Sequence, residues 1–416
     1  MITVIILSSR QLGYLKIPQQ ILQAVEFIAF ISSAEHETLA SSTRDWLTKI
    51  ECVPIISHDG VLWQYKKEFI LDNINNLPRI PGAIITFDEG STFLASQLRD
   101  ELRIPGASAE EIKFYRDKLI MKSCISNAGL KTPTADLLPT VAEWPPYAVL
   151  EQRYGSRMVI KPIDSAGSNS VFIINNSKDL GEASDQIRNI NLKFEVESYI
   201  DGKLYHCDTI WLDDKLIFAA CTEYVAHTVE LQNGFPLGGR VLNPKLNLTQ
   251  KLVNFSIKAV KALGLTSIVQ HTELMVSPNG IITFIESGAR PPGMLVVQMY
   301  ERAFGLNILT LTLAVNLGDA RLALSMTSNT PYPSLIQDAF YLVYPRGHGL
   351  VKKLNPLPIG LTDNIDIIFH TKKYDIHNGC RSNLDFTTTV LCSGGKNYVD
   401  EVFAKLINFK PIEYFS

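Results

Sequence analysis

Two glutamates on opposite sides of a strong turn signal are spaced for metal chemistry. Glu273 and Glu286 flank Ser277-Pro278-Asn279-Gly280, a turn that predicts a β-hairpin with one glutamate on each arm. Because side chains alternate along a strand, both carboxylates can face the same side, where their hard oxygen atoms suit Mg²⁺. A solvated cross-strand ion pair is the alternative. Both strands are strongly apolar, however, and an unpaired carboxylate is costly there.

Three cationic side chains are placed where they could neutralise a polyphosphate. Lys118 lies one turn into a predicted helix, Lys161 ends a predicted strand, and Arg290 lies four residues beyond Glu286. A lysine supplies a point cation, and an arginine offers a planar fork of donors to a phosphate or carboxylate. Taken alone, a lysine such as Lys118 is more often a solvated surface charge.

Small residues follow Lys161, in the segment 164–170 (Asp-Ser-Ala-Gly-Ser-Asn-Ser). Such residues let backbone N–H groups close over phosphates. The segment is not a Walker loop, because GxxxxGK[ST] is absent and a strand follows it. A plain hairpin turn is the alternative. The next strand, 194–200, leads into Gly202 and could pair its exposed backbone groups with an adenine edge, unless it is an ordinary edge strand.

The elements that must position these residues change in type along the chain. Residues 2–7 and 83–87 predict buried parallel strands, and helices are predicted over 19–29 and 92–102. No GxGxxG follows the first strand, which disfavours a Rossmann oxidoreductase. After about residue 145 short strands predominate, with an amphipathic helix over 250–263. The predicted strands in this part are 158–160, 171–174, 194–200, 208–211, 216–219, 270–276, 281–285 and 387–392.

In this order, the two lysines, the small-residue loop, the Glu197 strand, the two glutamates and Arg290 resemble the ATP-grasp superfamily. Within it, 271–274 (His-Thr-Glu-Leu) together with 285–290 (Ile-Glu-Ser-Gly-Ala-Arg) look like the bacilysin-synthetase type of L-amino acid ligase. The resemblance implies a mixed α/β and α+β architecture in three parts. These are a Rossmann-like pre-ATP-grasp domain (1–112), an ATP-grasp domain (113–320, with a lid subdomain at about 145–200) and a small C-terminal α+β domain (321–416) that completes the grasp.

The same resemblance implies ATP as the cofactor, with Mg²⁺ or alternatively Mn²⁺ held by Glu273 and Glu286. Lys161 and Arg290 would be catalytic, with Arg290 on the acyl phosphate or the substrate carboxylate. The nucleotide would be bound by phosphate-binding lysines, a lid and an adenine hinge. These residues are Lys118, Lys161, Ser165, Gly167, Ser168, Glu197, Ser198 and Ile200.

Two positions depart from the superfamily pattern. Gly288 stands where many members have a metal-binding asparagine, which leaves the coordination of a second metal open. Leu204 stands where many have a ribose-binding glutamate, so Tyr205, His206 or Asp208 is expected to contact the ribose instead.

The roles of two further features stay open. His271 is either a partner of the metal ligands or an ordinary strand histidine, and the 234–240 loop either brings Arg240 over the phosphates or is a surface loop.

The activity that the resemblance implies is ATP-dependent carboxylate–amine ligation through an acyl phosphate, which forms an amide or dipeptide and releases ADP and phosphate. The expected substrates are a small carboxylate and an amine, both amino acids. A non-catalytic ATP-binding module and a carboxylase-like enzyme that uses bicarbonate are the alternatives.

The amino-acid composition excludes several further classes of protein. With 39 basic and 42 acidic residues, the net charge of −3 lacks the basic excess of a general nucleic-acid binder. No apolar run approaches the roughly 20 residues of a membrane span. Six scattered cysteines without CxxC pairs predict single buried thiols. We therefore expect a cytoplasmic protein with no nucleic-acid or membrane partner, and a homodimer remains open.

Overall fold

A parallel sheet of almost continuously apolar strands forms the first part of the chain. The computed structural model describes residues 1–58, 63–358, 364–380, 382 and 384–415. The first six strands are β1 (Ile2–Leu7), β2 (Val25–Ile31), β3 (Lys49–Cys52), β4 (Ile55–His58), β5 (Trp63–Tyr65) and β6 (Ala83–Thr86). Four of them form a sheet in the order β3-β2-β1-β6, and β4 pairs with β5. The helices here are α1 (Gln19–Ala24), α2 (Ser33–Thr38), α3 (Ser41–Arg44), α4 (Lys67–Asn75), α5 (Thr92–Leu102) and α6 (Ala109–Lys113).

The helix predicted over 19–29 is wrong in its second half. The helix ends at Ala24, and Val25–Ile31 forms β2, parallel to β1. A short apolar run that is buried on both faces has no periodicity to distinguish a strand from a helix. Its pairing with β1 therefore decides its conformation.

A second, antiparallel sheet follows. Its strands are β7 (Ala135–Leu137), β8 (Met158–Pro162), β9 (Phe172–Ile174) and β10 (Phe194–Ser198), in the order β7-β10-β8-β9. The helices of this part are α7 (Lys118–Asn127), α8 (Tyr147–Tyr154) and α9 (Ser177–Ile187). The small-residue segment joins β8 to β9, so it projects from one end of this sheet.

The largest sheet has eight strands and extends to the last part of the chain. It contains β11 (Lys203–Leu212), β12 (Lys215–Tyr224), β13 (Leu237–Val241), β14 (Ile268–Val276), β15 (Ile282–Gly288), β16 (Asp338–Pro345), β18 (Ile365–Phe369) and β20 (Phe386–Gly394). The order is β15-β14-β11-β12-β13-β16-β20-β18, so strands beyond residue 320 continue the sheet that carries Glu273 and Glu286. A small sheet is built from β17 (His348–Leu354), β19 (Ile376–Asn378) and β21 (Ile412–Tyr414).

Helices cover this large sheet. They are α10 (Asn247–Leu263), α11 (Val296–Phe304), α12 (Ile308–Asn316), α13 (Ala320–Met326) and α14 (Lys396–Leu406). Residues 308–315 of α12 are buried on every face, as expected for a helix that is apolar all round. The helix packs against β6 and β11, and so joins the first sheet to the largest one.

All six cysteines are free thiols. The prediction of buried single thiols is confirmed for Cys207, Cys221 and Cys392, and it is wrong for Cys52, which is exposed. Across the described parts of the chain, no helix combines the length and the apolar character that crossing a membrane requires.

Candidate functional site

An open cleft of about 870 Å³ lies between the β7–β10 sheet and the largest sheet. The residues predicted to bind the nucleotide or the metal line it, except for the three ribose candidates Tyr205, His206 and Asp208. The predicted residues in its walls are Lys118, Lys161, Ser165, Gly167, Ser168, Glu197, Ser198, Ile200, Glu273 and Glu286. Residues that are far apart in sequence therefore meet at one cleft.

Part of the wall of the cleft is apolar. The side chains that form this part come from both sheets and are Val159, Ile173, Leu204, Met275 and Ile285. The strand predicted as an adenine hinge is not at an edge, because β10 is hydrogen-bonded on both sides, to β7 and β8. The Ser198 and Tyr199 amides also donate to backbone carbonyls of the protein. A hinge role therefore stays a prediction for the residues that follow, of which Ile200 lines the cleft.

Lys161 is held by a buried network of opposite charges. Its Nζ lies 2.7 Å from Glu197 Oε1, and Lys122 Nζ lies 2.7 Å from Glu197 Oε2 and 2.5 Å from Glu195 Oε1. Burial alone would raise the pKa of Glu197, but the two ammonium groups outweigh it and hold the pKa at about 2. Burial would lower the pKa of Lys161, and the surrounding carboxylates raise it instead. Lys161 is therefore a fixed cation, and the Glu197 carboxylate serves to hold it.

The two hairpin glutamates face each other directly. Glu273 on β14 pairs in register with Glu286 on β15, and the pairing shifts by a bulge immediately after Glu273. Glu286 lies 3.6 Å from Lys118 Nζ, and Glu273 Oε1 accepts a hydrogen bond of 2.9 Å from the Tyr224 hydroxyl. Like charges opposite one another on adjacent strands are destabilising. Two such carboxylates at a cleft that contains lysines fit a divalent cation such as Mg²⁺.

A buried polar cluster lies behind Glu273. The Asp208 carboxylate is hydrogen-bonded to Nδ1 of His206 (2.8 Å), to Nδ1 of His271 (2.7 Å) and to the Tyr300 hydroxyl (2.6 Å). Burial lowers the pKa of His271, but Asp208 outweighs it and raises the pKa to about 9, whereas burial dominates for His206 and lowers its pKa. His271 Nε2 lies 3.8 Å from Glu273 Oε1. His271 is therefore a neighbour of the predicted metal ligand.

The prediction that His206 contacts the ribose is not supported. Its ring is fully buried, it lies in the cluster around Asp208, and it does not line the cleft. Tyr205 and Asp208 are also buried and do not line it. Tyr205 packs into the apolar core with residues of α10, and Asp208 is bonded to Tyr300 of α11, so helices on the two faces of the sheet cover these side chains. The cleft is lined in this region by His227 and Thr228, which sequence reasoning did not single out.

A second cavity, of about 1340 Å³, joins the cleft at Lys118, the 165–168 loop and the two hairpin glutamates. Arg290 lines it, and its Nε lies 2.5 Å from Glu89 Oε2. Glu89 Oε1 is 2.5 Å from Arg116 Nη1. Burial alone would raise the pKa of Glu89, but the two guanidinium groups lower it to about 2. The carboxylate thus orients both arginines at the wall of the cavity.

The small-residue loop is fixed at its base and at its tip. Lys118 donates from its backbone N–H to Ile163 O (3.0 Å) and from Nζ to Ser165 O (3.0 Å). At the tip, the Ser168 hydroxyl bonds to that of Thr228 (2.8 Å), and Gln232 Nε2 donates to Ser168 O (3.1 Å). The loop therefore covers the place where the two cavities join.

Neither alternative for the 234–240 loop holds for its second half, because residues 237–240 belong to β13 inside the largest sheet, and Arg240 does not lie over the cleft. Arg240 lies in β13, where its guanidinium pairs with Asp400 and lies 4.8 Å from the centre of the Phe403 ring. Residues 228–231, which form a short 3₁₀ helix, approach the small-residue loop instead. Alternation along β13 turns Arg240 away from the cleft and towards α14.

Sequence reasoning missed Glu89, Arg116, Lys122 and Glu195. Glu89 lies two residues after a predicted buried strand, and the ends of parallel strands commonly carry functional side chains. Arg116 lies two residues before Lys118, but nothing in its local sequence marks it as buried or paired. Lys122 lies one turn after Lys118 on α7, a spacing that turns both towards one side of the helix. No local signal marked Glu195, since its partner comes from another element.

Comparison with known proteins identifies the central part of the chain. Residues 115–293 match the family model of the ATP-grasp domain. The crystal structure of an L-amino acid ligase from Bacillus licheniformis superposes with a TM-score of 0.77 at 17% sequence identity, covering 100% of this chain and 99% of that one. At that identity the likeness concerns the fold, and it confirms the predicted ATP-grasp architecture.

Two relatives from Bacillus subtilis are similar in sequence. The chain is 23% identical over 283 residues to an L-arginine-specific L-amino acid ligase, an alignment that covers 66% of this chain and 65% of the relative. It is 22% identical over 320 residues to an alanine–anticapsin ligase of strain 168, covering 69% and 66%. The matched regions thus span just under two thirds of each relative's length.

Proposed function

Because the chain carries an ATP-grasp domain, we propose that it is an ATP-dependent ligase that joins a carboxylate to an amine through an acyl phosphate. The observation that carries the proposal is the junction of the two cavities. The cleft with the partly apolar wall would hold ATP, and the second cavity, with Arg290 and Arg116, would hold the carboxylate substrate. Lys118, Glu273 and Glu286 line both cavities, at the place where a phosphoryl group would be transferred.

In the first step, a substrate carboxylate oxygen attacks the γ-phosphorus of ATP, the bond from that phosphorus to the bridging oxygen breaks, and ADP leaves. Lys161 would neutralise negative charge on the phosphates, and its network with Glu197 keeps it charged and in place. Lys118 would contribute a second cation at the junction. Bound by Glu273 and Glu286, Mg²⁺ would supply further charge neutralisation. Positioning and charge account for most of the catalysis that phosphoryl transfer requires.

In the second step, the amine attacks the carbonyl carbon of the acyl phosphate to form the amide bond. The bond from that carbon to the phosphate oxygen breaks, and the leaving phosphate takes up the proton that the amine gives up. Arg290 would stabilise the oxyanion that forms, because Glu89 and the Pro291 carbonyl fix its guanidinium. The loop held between Ser165 and Thr228 would exclude water, which would otherwise hydrolyse the acyl phosphate.

The substrates that the proposal favours are two amino acids, because the relatives named above are amino acid ligases. The division of the chain at about residues 112 and 320 also remains a proposal. The separate parallel sheet of the first part supports the first boundary.

A matrix of amino acid pairs with ATP and Mg²⁺ tests the function. ADP and phosphate should appear only with a suitable carboxylate and amine, and mass spectrometry should find a product lighter than the sum of the two substrates by one water. ADP release that depends on bicarbonate alone would favour the carboxylase alternative. Binding of ATP without ADP release for any pair would favour the non-catalytic module.

A further inference from the structure

Four charged side chains form a continuous chain of ion pairs from the second cavity to the base of the small-residue loop. Arg290 pairs with Glu89, Glu89 pairs with Arg116, and Arg116 pairs through its second terminal nitrogen with Asp164. Asp164 is the first residue of the 164–170 loop. This series of ion pairs thus connects the wall of the proposed carboxylate site with the loop over the proposed nucleotide site.

Arg116 lies in the middle of this series of ion pairs and binds both Glu89 and Asp164. Its side chain is only 11% exposed, and its Nη1 and Nη2 bind two different carboxylates. Its backbone is fixed by a rigid element, because Asp117 caps α7 by accepting from the Leu119 and Ile120 amides. Lys118 then bonds through its backbone N–H to Ile163, one residue before Asp164. A guanidinium held in this way has one orientation that satisfies both partners.

We propose that Arg116 is a positioning residue that couples Glu89, in the wall of the second cavity, to closure of the loop over the nucleotide. The inference rests on the proposed function, because it takes the first cleft as the nucleotide site. When Glu89 holds Arg116 in place, the guanidinium is presented to Asp164, and the base of the loop is anchored. When Glu89 no longer binds Arg116, the guanidinium can turn away from Asp164, and the loop loses that anchor.

This coupling fits the chemistry of an acyl phosphate. The intermediate must be formed only when the carboxylate is in place, and water must be excluded while it exists. A direct ionic link between the two sites makes loop closure depend on the second cavity without any change of fold. Coupling of this kind is reciprocal, so it can be measured from the nucleotide side alone.

A double-mutant cycle with Glu89→Gln and Asp164→Ala tests the proposal. The probe is the Mg²⁺ complex of the ATP analogue adenylyl imidodiphosphate, titrated by calorimetry into the wild type, both single variants and the double variant. Asp164 is 56% exposed, so its replacement leaves the core untouched. We expect each single substitution to weaken binding. The double variant should bind the analogue no more weakly than Asp164→Ala alone. Its affinity should therefore exceed the value expected from additive effects by about fivefold or more.

The matched control is Asp185→Ala. Asp185 is also an exposed aspartate paired with an arginine of the same subdomain, Arg188, but this pair has no connection to either cavity. Glu89→Gln should weaken analogue binding by the same factor with and without Asp185→Ala. Asp164→Glu should restore part of the coupling, because it restores the charge that Arg116 binds.

Hydrogen exchange of the 164–170 backbone gives a second readout. Exchange there should be faster in Glu89→Gln, and Glu89→Gln should add nothing further once Asp164 is replaced. Additive effects of Glu89→Gln and Asp164→Ala on binding and exchange, or no effect of either, would overturn the coupling and leave the ligase proposal standing. Failure of the wild type to bind the analogue would instead overturn the nucleotide site and the coupling together.

Discussion

Replacement of Glu197 by glutamine isolates the network that holds Lys161. In the folded protein the Glu197 carboxylate has a pKa of about 2, against an ordinary value of 4.5. A difference of about 2.5 units corresponds to about 3 kcal/mol, at 1.36 kcal/mol per unit. This agrees with the roughly 3–5 kcal/mol lost when one partner of a buried ion pair is removed. We therefore expect Glu197→Gln to lower the free energy of unfolding by about 3 kcal/mol at pH 7.

The pH dependence gives the sharper test. Because the pKa of Glu197 is lower in the folded protein than in the unfolded chain, its contribution to stability is complete above about pH 5 and disappears as the pH falls towards 2. The stability difference between wild type and Glu197→Gln should shrink over the same range. Urea denaturation monitored by circular dichroism between pH 7 and pH 3 measures this stability difference.

The apparent KM for ATP should also rise about tenfold in Glu197→Gln, because Lys161 loses its partner.

Glu182→Gln provides the matched control. Glu182 pairs with Lys178 at 3.4 Å on the surface of the same subdomain, where both side chains are largely exposed. Exposed pairs of this kind contribute about 0–1 kcal/mol, so this variant should unfold close to the wild type at every pH. A Glu197→Gln variant whose stability matched Glu182→Gln at pH 7, or whose deficit persisted unchanged at pH 3, would refute the assignment of the buried network.

Three further predictions concern the chemistry of the cavities. Glu286→Ala and Glu273→Ala should each reduce Mg²⁺-dependent ADP release at least about a hundredfold at saturating ATP, with little change in thermal midpoint, and normal rates would exclude them as metal ligands. Arg290→Ala should abolish amine-dependent ADP release in a protein that remains folded, whereas full activity would remove Arg290 from the mechanism. Tyr224→Phe should raise the Mg²⁺ concentration needed for half-maximal ADP release a few-fold, because Glu273 loses the hydroxyl that orients it, and an unchanged Mg²⁺ requirement would contradict that role.

The parts of the site that follow from local rules could be predicted from the sequence. The turn after Val276 predicts the hairpin that carries Glu273 and Glu286. The register that this turn sets, with Val276 opposite Ile282, would by itself place Glu273 opposite Ile285. A bulge after Glu273, which the sequence did not predict, shifts its partner to Glu286. Helix α5 runs from Thr92 to Leu102, as its pattern predicted. The ATP-grasp fold followed from the order of the motifs along the chain, which no single motif would have indicated.

Contacts between distant segments could not be predicted in the same way. Arg290 and Glu89 are 201 positions apart in the chain, and Lys122 and Glu195 are 73 apart. Each side chain taken alone fits a solvated surface charge. Packing of the elements determines which charges become buried together, and burial is what makes their pairing strong.

The residue types and spacings by themselves predicted the kind of chemistry that we propose: paired carboxylates for a metal, lysines for phosphates and a small-residue loop to cover them. Only the tertiary structure decided which side chains meet. It made Val25–Ile31 a strand, because that segment pairs with β1. It buried the ring of His206 against Asp208 and placed Arg240 against α14. It also joined Arg116 to both Glu89 and Asp164. Spacing rules act within one element, whereas burial and ion pairing depend on which elements pack together.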